Sequence, residues 1–177
     1  LLRATDKNGS TLVHEAIKVG NIGIAMLLLD RWNNLDDTLS LMQLKDKDDM
    51  DVLALARKLS RFEVVQFMEN LLNSIFSQQD LIFTLEDVSY ALSHSTLWLA
   101  SVLSRQPELI AASNVHNSRS LLHEAVKAGS DSGVDVILDC LRDMEDGYSI
   151  LLLKDASGLD AEELAKELHQ THLAKKL

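Results

Sequence analysis

Thr11-Leu12-Val13-His14-Glu15-Ala16-Ile17-Lys18-Val19-Gly20 and Ser120-Leu121-Leu122-His123-Glu124-Ala125-Val126-Lys127-Ala128-Gly129 follow one pattern, 109 positions apart. A hydroxyl residue opens it and two apolar residues follow. Then come His-Glu-Ala, a branched apolar residue, Lys, a small or apolar residue, and Gly. Chance does not order ten positions this way, so the chain repeats itself, and a period of tens of residues points to stacked units. Downstream the offset holds. Leu44-Lys45-Asp46 leads to Leu55-Ala56-Arg57-Lys58-Leu59, and Leu153-Lys154-Asp155 leads to Leu164-Ala165-Lys166-Glu167-Leu168. Ala91 lies 35 residues after Ala56 and 34 before Ala125, and marks a fifth unit.

Each unit reads as two short helices. Thr11, Asp51, Ser120 and Asp160 precede apolar periodic stretches and carry the oxygens that cap the first N–H groups of a helix. Asp160 with Glu163 has capping-box spacing, and Thr84 with Asp87 offers a similar start to the third unit. Gly20 and Gly129 stand where a left-handed residue ends the first helix. A second helix from about Ile22 to Arg31 places Ile24, Leu27 and Leu28 on one face, matched by Val64, Phe67 and Met68 and by Leu99, Val102 and Leu103. One pair cannot bury that face alone, and stacking on the next pair does. Ala16, Ala56, Ala91, Ala125 and Ala165 are expected at equivalent buried positions, where small side chains let helices approach.

The run Asp6-Lys7-Asn8-Gly9-Ser10, continued through His14-Glu15-Ala16 and Gly20 to Ile24-Ala25-Met26-Leu27-Leu28-Leu29, resembles an ankyrin repeat. That family repeats every ~33 residues with a T-P-L-H-x-A signature. Ser120 to Gly129 is the second specific match. The units around Ala56 and Ala165 are partial and the one around Ala91 is degenerate, so five units fall at about 6–40, 46–78, 81–112, 115–148 and 155–177. Leu12 and Leu121 replace the signature Pro, and Ala54 and Glu163 replace its His. Extra residues near Arg31–Ser40 and Arg142–Ser149 put regular hairpin loops in doubt there.

The resemblance implies an all-α solenoid of about five helix pairs, acting as a non-catalytic scaffold that binds a partner protein through its concave face and hairpin tips. Carried over by position, the tips are Lys7, Asn8 and Ser10, then Lys47, Asp48 and Met50, then His116, Asn117 and Arg119. The first-helix positions are Lys18 and Val19, Lys58 and Leu59, Lys127 and Ala128. Met50 and Leu59 either face outward as a binding patch or turn into the core of their own unit. The resemblance also makes His14 and His123 structural groups that bond near the turn and lock adjacent repeats. An alternative is a targeting or substrate-recruiting module of a larger enzyme or secreted bacterial effector, with catalysis outside this sequence.

Composition agrees with a packed helical protein, since 46% of residues are hydrophobic and only 5% aromatic. Seventeen Lys and Arg against 27 Asp and Glu give a formal charge of −10. Such a field repels phosphate backbones and anionic membranes; it suits a partner protein with a basic or neutral surface, and solvation alone explains it equally well. Cys140 is the single cysteine, so no internal disulfide forms, which points to a reducing compartment: the cytoplasm, or a host's cytoplasm for an effector. The first residue is Leu1, which suits a fragment of a longer chain.

Chemistry finds little support. His14-Glu15 and His123-Glu124 begin like a zinc motif, but Lys18 and Lys127 stand where its second His belongs. His169 and His172 could share a helix face, without a Cys or carboxylate at ligand spacing. Asp46, Asp48, Asp49 and Asp51 lack the central Gly and closing Glu of a calcium loop and read as a solvated or partner-facing loop. Asn8-Gly9-Ser10 is formally a glycosylation sequon and more simply a turn. Cys140 reads as a small core hydrophobe and Trp98 as core or back face. Trp32 either packs beneath the first long junction or anchors a partner. No metal, cofactor or catalytic residue is expected.

Overall fold

The computed structural model describes residues 4–33, 38–78, 81–114 and 117–177. They form two compact units, 1–75 and 76–177, and each is taken by itself. The first holds α1 (Leu12–Lys18), α2 (Ile22–Asn33), α3 (Thr38–Met42), α4 (Val52–Lys58) and α5 (Phe62–Phe76), whose last residue opens the second unit. The second holds α6 (Leu85–His94), α7 (Thr96–Leu103), a 3-10 turn (Pro107–Ile110), α8 (Leu121–Lys127), α9 (Asp131–Arg142), α10 (Gly147–Leu151), α11 (Ala161–Glu167) and α12 (Thr171–Ala174).

Local chemistry starts and stops these helices. Asp51 accepts from the Ala54 N–H at 2.9 Å, and Asp160 from the Glu163 N–H at 2.9 Å while Glu163 reaches back to the Asp160 N–H at 3.0 Å. Thr84 and Asp87 form the same reciprocal box. Four first helices end alike. The residue after each is left-handed: Gly20 at φ 75°, Gly129 at φ 63°, and Ser60 and His169 at φ 54° and 59°. The next N–H then closes onto the carbonyl of Ala16, Ala56, Ala125 or Ala165 at 2.9–3.0 Å, a Schellman turn. The recurring alanine is therefore fixed twice, by packing and by this bond. Unit three differs. Its α6 stops at Ser95, which is extended and donates to the Ala91 carbonyl at 2.8 Å, and α7 starts at once.

All five alanines are buried, the most exposed being Ala16 at 6%. In the second helices Val64, Met68, Leu99, Val102 and Leu103 are buried as expected, while Phe67 is half-buried. The first pair needs a correction. Ile24 and Leu27 are exposed and Leu28 half-buried, and the buried stripe of α2 is Ala25, Leu29 and Trp32. From Ile22 to Leu29 the helix is apolar nearly all round, so periodicity does not select one face. Trp32 is fully buried, and its carbonyl accepts the Thr38 hydroxyl at 2.6 Å.

The two long junctions each carry an extra one-turn helix. α3 and α10 start and end 109 positions apart, so the duplication extends to them. Gly147 opens α10 where a Cβ would lie 2.1 Å from the Leu141 carbonyl oxygen, a gap no other residue fits. Unit three also carries an aromatic cluster. Phe76 stacks on Phe83 and Trp98, each with centroids 5.3 Å apart, and the Arg105 guanidinium lies over Phe83 and donates to the Phe76 and Gln78 carbonyls.

Candidate protein-binding surface

Three hairpin tips are each built on one carboxylate. Asp6 accepts from the N–H groups of Asn8 and Ser10 at 2.8 and 2.9 Å. Asp46 does the same for Asp48 and Met50 at 3.0 and 3.2 Å, and Asp155 for Ser157 and Leu159 at 2.8 and 3.3 Å. A left-handed residue closes each turn: Gly9, Asp49 and Gly158. In the fourth repeat Asn114 occupies the equivalent position, and the loop is one residue longer, closing from the Asn114 N–H to the Arg119 carbonyl.

Neighbouring tips are tied to each other. The Lys47 N–H donates to the Asn8 carbonyl at 2.7 Å, and the Ala156 N–H to the Asn117 carbonyl at 2.8 Å. His14 bridges the same junction. Its Nδ1 lies 3.2 Å from the Thr11 N and 2.8 Å from Thr11 Oγ1, and its Nε2 lies 3.1 Å from the Met50 carbonyl. Since a carbonyl only accepts, Nε2 carries the proton and Nδ1 accepts. His123 repeats this with Ser120 at 2.8 Å and the Leu159 carbonyl at 3.0 Å.

The acidic run therefore does not form a solvated loop as a whole. Asp46 and Asp51 are buried, as turn centre and helix cap, and only Asp48 and Asp49 face water. Burial works against ionising Asp46, but Lys18 and the two turn N–H groups outweigh it and hold its carboxyl below the ordinary range. Lys18 reaches it at 3.1 Å and also meets Ser10 Oγ at 2.7 Å and Glu15 at 3.2 Å. Burial lowers the Lys18 pKa, yet these carboxylates leave it above the ordinary lysine value. Asp155 is likewise held low against burial, and its cation is Arg119 at 3.5 Å.

The candidate binding residues thus do not share one environment. Lys7, Lys47, Asp48, Lys58 and Lys127 present their side chains to solvent. Ser10 is buried at 3%, and Lys18 and Arg119 are half-buried struts between repeats, a departure from the outward placement expected of them. Asn8, Asn117, Met50 and Leu59 are half-buried, so neither extreme considered for the last two holds. His116 lies outside the described residues. Val19, 80% exposed, and Phe62, 76% exposed, bracket the turn after α1 and the start of α5. Phe62 escaped the sequence reading because it sits at a helix start, outside the tip and first-helix positions.

Among the described residues no His, Cys, Asp or Glu group of three or more could hold a metal. His169 and His172 are exposed, and His172 pairs with Asp131 at 2.9 Å beside Lys176. Cys140 is half-buried rather than core. Burial first, then Asp139 and Asp143, push its thiol up. No helix among the described residues is long and apolar enough to cross a membrane.

Capped helix pairs, carboxylate-centred tips and a His lock between repeats define an ankyrin-type helical repeat fold. No protein-family model and no curated protein matches the chain. Among solved structures it is similar to a chain of the complex of a predatory endopeptidase from Bdellovibrio bacteriovorus with an immunity protein. The likeness has TM-score 0.52 and 21% identity, over 99% of this chain and 83% of that one. An ankyrin repeat protein, EF0377, aligns at TM-score 0.47 and 20% identity, with the same coverage.

Proposed function

We propose that this chain is a non-catalytic scaffold that binds a partner protein through the hairpin tips and the exposed side of the first helices. One observation carries the reading. The tip backbones are locked to each other and to His14 and His123, while Lys7, Lys47 and Asp48 project from them into solvent. Such a rigid frame keeps the projecting side chains pre-organised, which lowers the entropic cost of association. The similar solved structure contains an immunity protein in complex with an endopeptidase, an assembly of two proteins. The net charge of −10 favours a partner with a basic surface. A reducing compartment such as the cytoplasm suits the single thiol.

The experiment is affinity capture by the intact chain and by a Lys7→Glu, Lys47→Glu, Lys127→Glu variant. A protein held by wild type should be lost or bound at least about tenfold more weakly by the variant, with an unchanged thermal midpoint. Equal retention by a variant of equal stability would remove this surface from the binding site.

A further inference from the structure

Asp6 gathers three donors of the first hairpin tip. The Asn8 N–H and the Asn8 side-chain amide reach its two carboxylate oxygens at 2.8 and 3.3 Å, and the Gly9 N–H reaches its carbonyl at 3.0 Å. The Asn8 side chain and the Gly9 nitrogen are thus fastened to one residue, on a tip whose residues 4–7 are exposed. This pair is chemically labile. A main-chain nitrogen that follows asparagine can attack the side-chain carbonyl carbon, and glycine in that position, having no Cβ, leaves the approach open.

Packing imposes the glycine. Gly9 has φ 73°, and a Cβ there would lie 2.7 Å from the Lys45 carbonyl oxygen. The equivalent residue 109 positions later is Ser118, which carries a side chain at φ 55° in the longer loop. Asn8 and Asn117 make the same bond between repeats, their carbonyls accepting the N–H groups of Lys47 and Ala156 at 2.7 and 2.8 Å. The two junctions share one lock and differ in the residue that decides its chemical lifetime.

We propose that Asn8 is a self-modification site, where deamidation through Gly9 unties the first tip from the second. When the tip opens and Asp6 releases it, the Gly9 nitrogen bonds to Asn8 Cγ and gives up its proton. The Cγ–Nδ2 bond breaks, and Nδ2 leaves as ammonia with that proton. Water then opens the cyclic imide, at Cγ to give aspartate or at the main-chain carbonyl carbon to give isoaspartate. Nothing is oxidised or reduced. In isoaspartate the chain runs through Cγ, so the backbone lengthens by a carbon and the carbonyl that held Lys47 becomes a carboxylate off the main chain. In either product the amide that donated to Asp6 is replaced by a second negative charge beside it. The reaction does not depend on whether the tips bind a partner.

Ageing the folded chain in warm, mildly alkaline buffer tests this, read by peptide mapping and hydrogen exchange. Asn8 should convert to isoaspartate and aspartate while Asn117 stays asparagine. In the isoaspartate fraction the Lys47 amide should lose protection by at least about tenfold, and the Ala156 amide should keep it. In Asn8→Gln the longer side chain must close a larger, slower ring, so Lys47 should stay protected through the same ageing. If that change loosens the tip before ageing, fresh and aged wild type decide, with Asn117 as the internal control. Asn8 that survives as long as Asn117, isoaspartate that leaves Lys47 protected, or loss of protection at Ala156 to the same degree would each overturn the proposal.

Discussion

The imidazole of His14 spans two repeats, its Nε2 lying 3.1 Å from the carbonyl oxygen of Met50 while its Nδ1 receives the N–H of Thr11. Replacing it with Ala orphans both partners inside the junction and leaves a cavity. Each unsatisfied group costs about 1–3 kcal/mol. His14→Ala should therefore lower the urea midpoint clearly, and His123→Ala should do the same through the Leu159 carbonyl. A wild-type midpoint in either variant would remove that histidine from its locking role.

Acid should weaken the fold in two stages. Burial is the main reason that the His14 pKa lies below its ordinary 6.5, ahead of the opposing pull of the Met50 carbonyl and Asp46. The unfolded chain then takes up a proton near pH 6.5 that the folded chain refuses. Stability falls as pH drops through that value and levels off below the folded pKa. His14→Gln should flatten this limb in denaturation curves recorded on both sides of it. The carboxyls of Asp46 and Asp155 are held below 3.8, so their contribution is present above that value and disappears as pH falls through their folded pKa.

Lys18 and Lys127 are equivalent in sequence and unequal in structure. Lys18 neutralises the buried Asp46, whereas the corresponding Asp155 takes its cation from Arg119 and Lys127 stands in solvent. Lys18→Met and Arg119→Met should each cost about 1–3 kcal/mol, a range reduced by the partial exposure of both cations. Lys127→Met should stay within about 0.5 kcal/mol of wild type, as exposed substitutions do. Equal effects of Lys18→Met and Lys127→Met in chemical denaturation would contradict this division.

Ser60 and His169 hold the left-handed position that Gly20 and Gly129 occupy elsewhere. A side chain there costs roughly 1–2 kcal/mol, partly offset by the greater unfolded freedom of glycine. Ser60→Gly and His169→Gly should each stabilise by about 0.5–1 kcal/mol, read as a higher thermal midpoint. Gly20→Ala should destabilise, because its φ of 75° is strained for Ala and its Cβ would come within 3.0 Å of Arg61 Nη2.

What could be read from the residues was whatever one residue type settles alone. Thr11, Asp51, Ser120 and Asp160 cap helices because few other side chains do, and His14 and His123 carry the signature of the lock. The inward face of α2 was not legible, since Ile24 and Leu29 are equally apolar and only packing chooses between them. Nor were α3 and α10, which are too short for a 3.6-residue period to emerge. For the surface, sequence placed Lys18, Arg119 and Lys127 alike, because a flexible cation reveals its partner only once the buried carboxylate has a position.

Cys140 gives the fourth repeat a built-in reporter. It is the only sulfhydryl in the chain, it is half-buried on α9, and its raised pKa keeps it protonated and slow to react at neutral pH. A thiol-specific dye therefore marks a single site, whose native uptake is set by the partial exposure of Cys140. A rise of the labelling rate above that level with denaturant, or a fall with a bound partner, would report loosening or protection of one repeat.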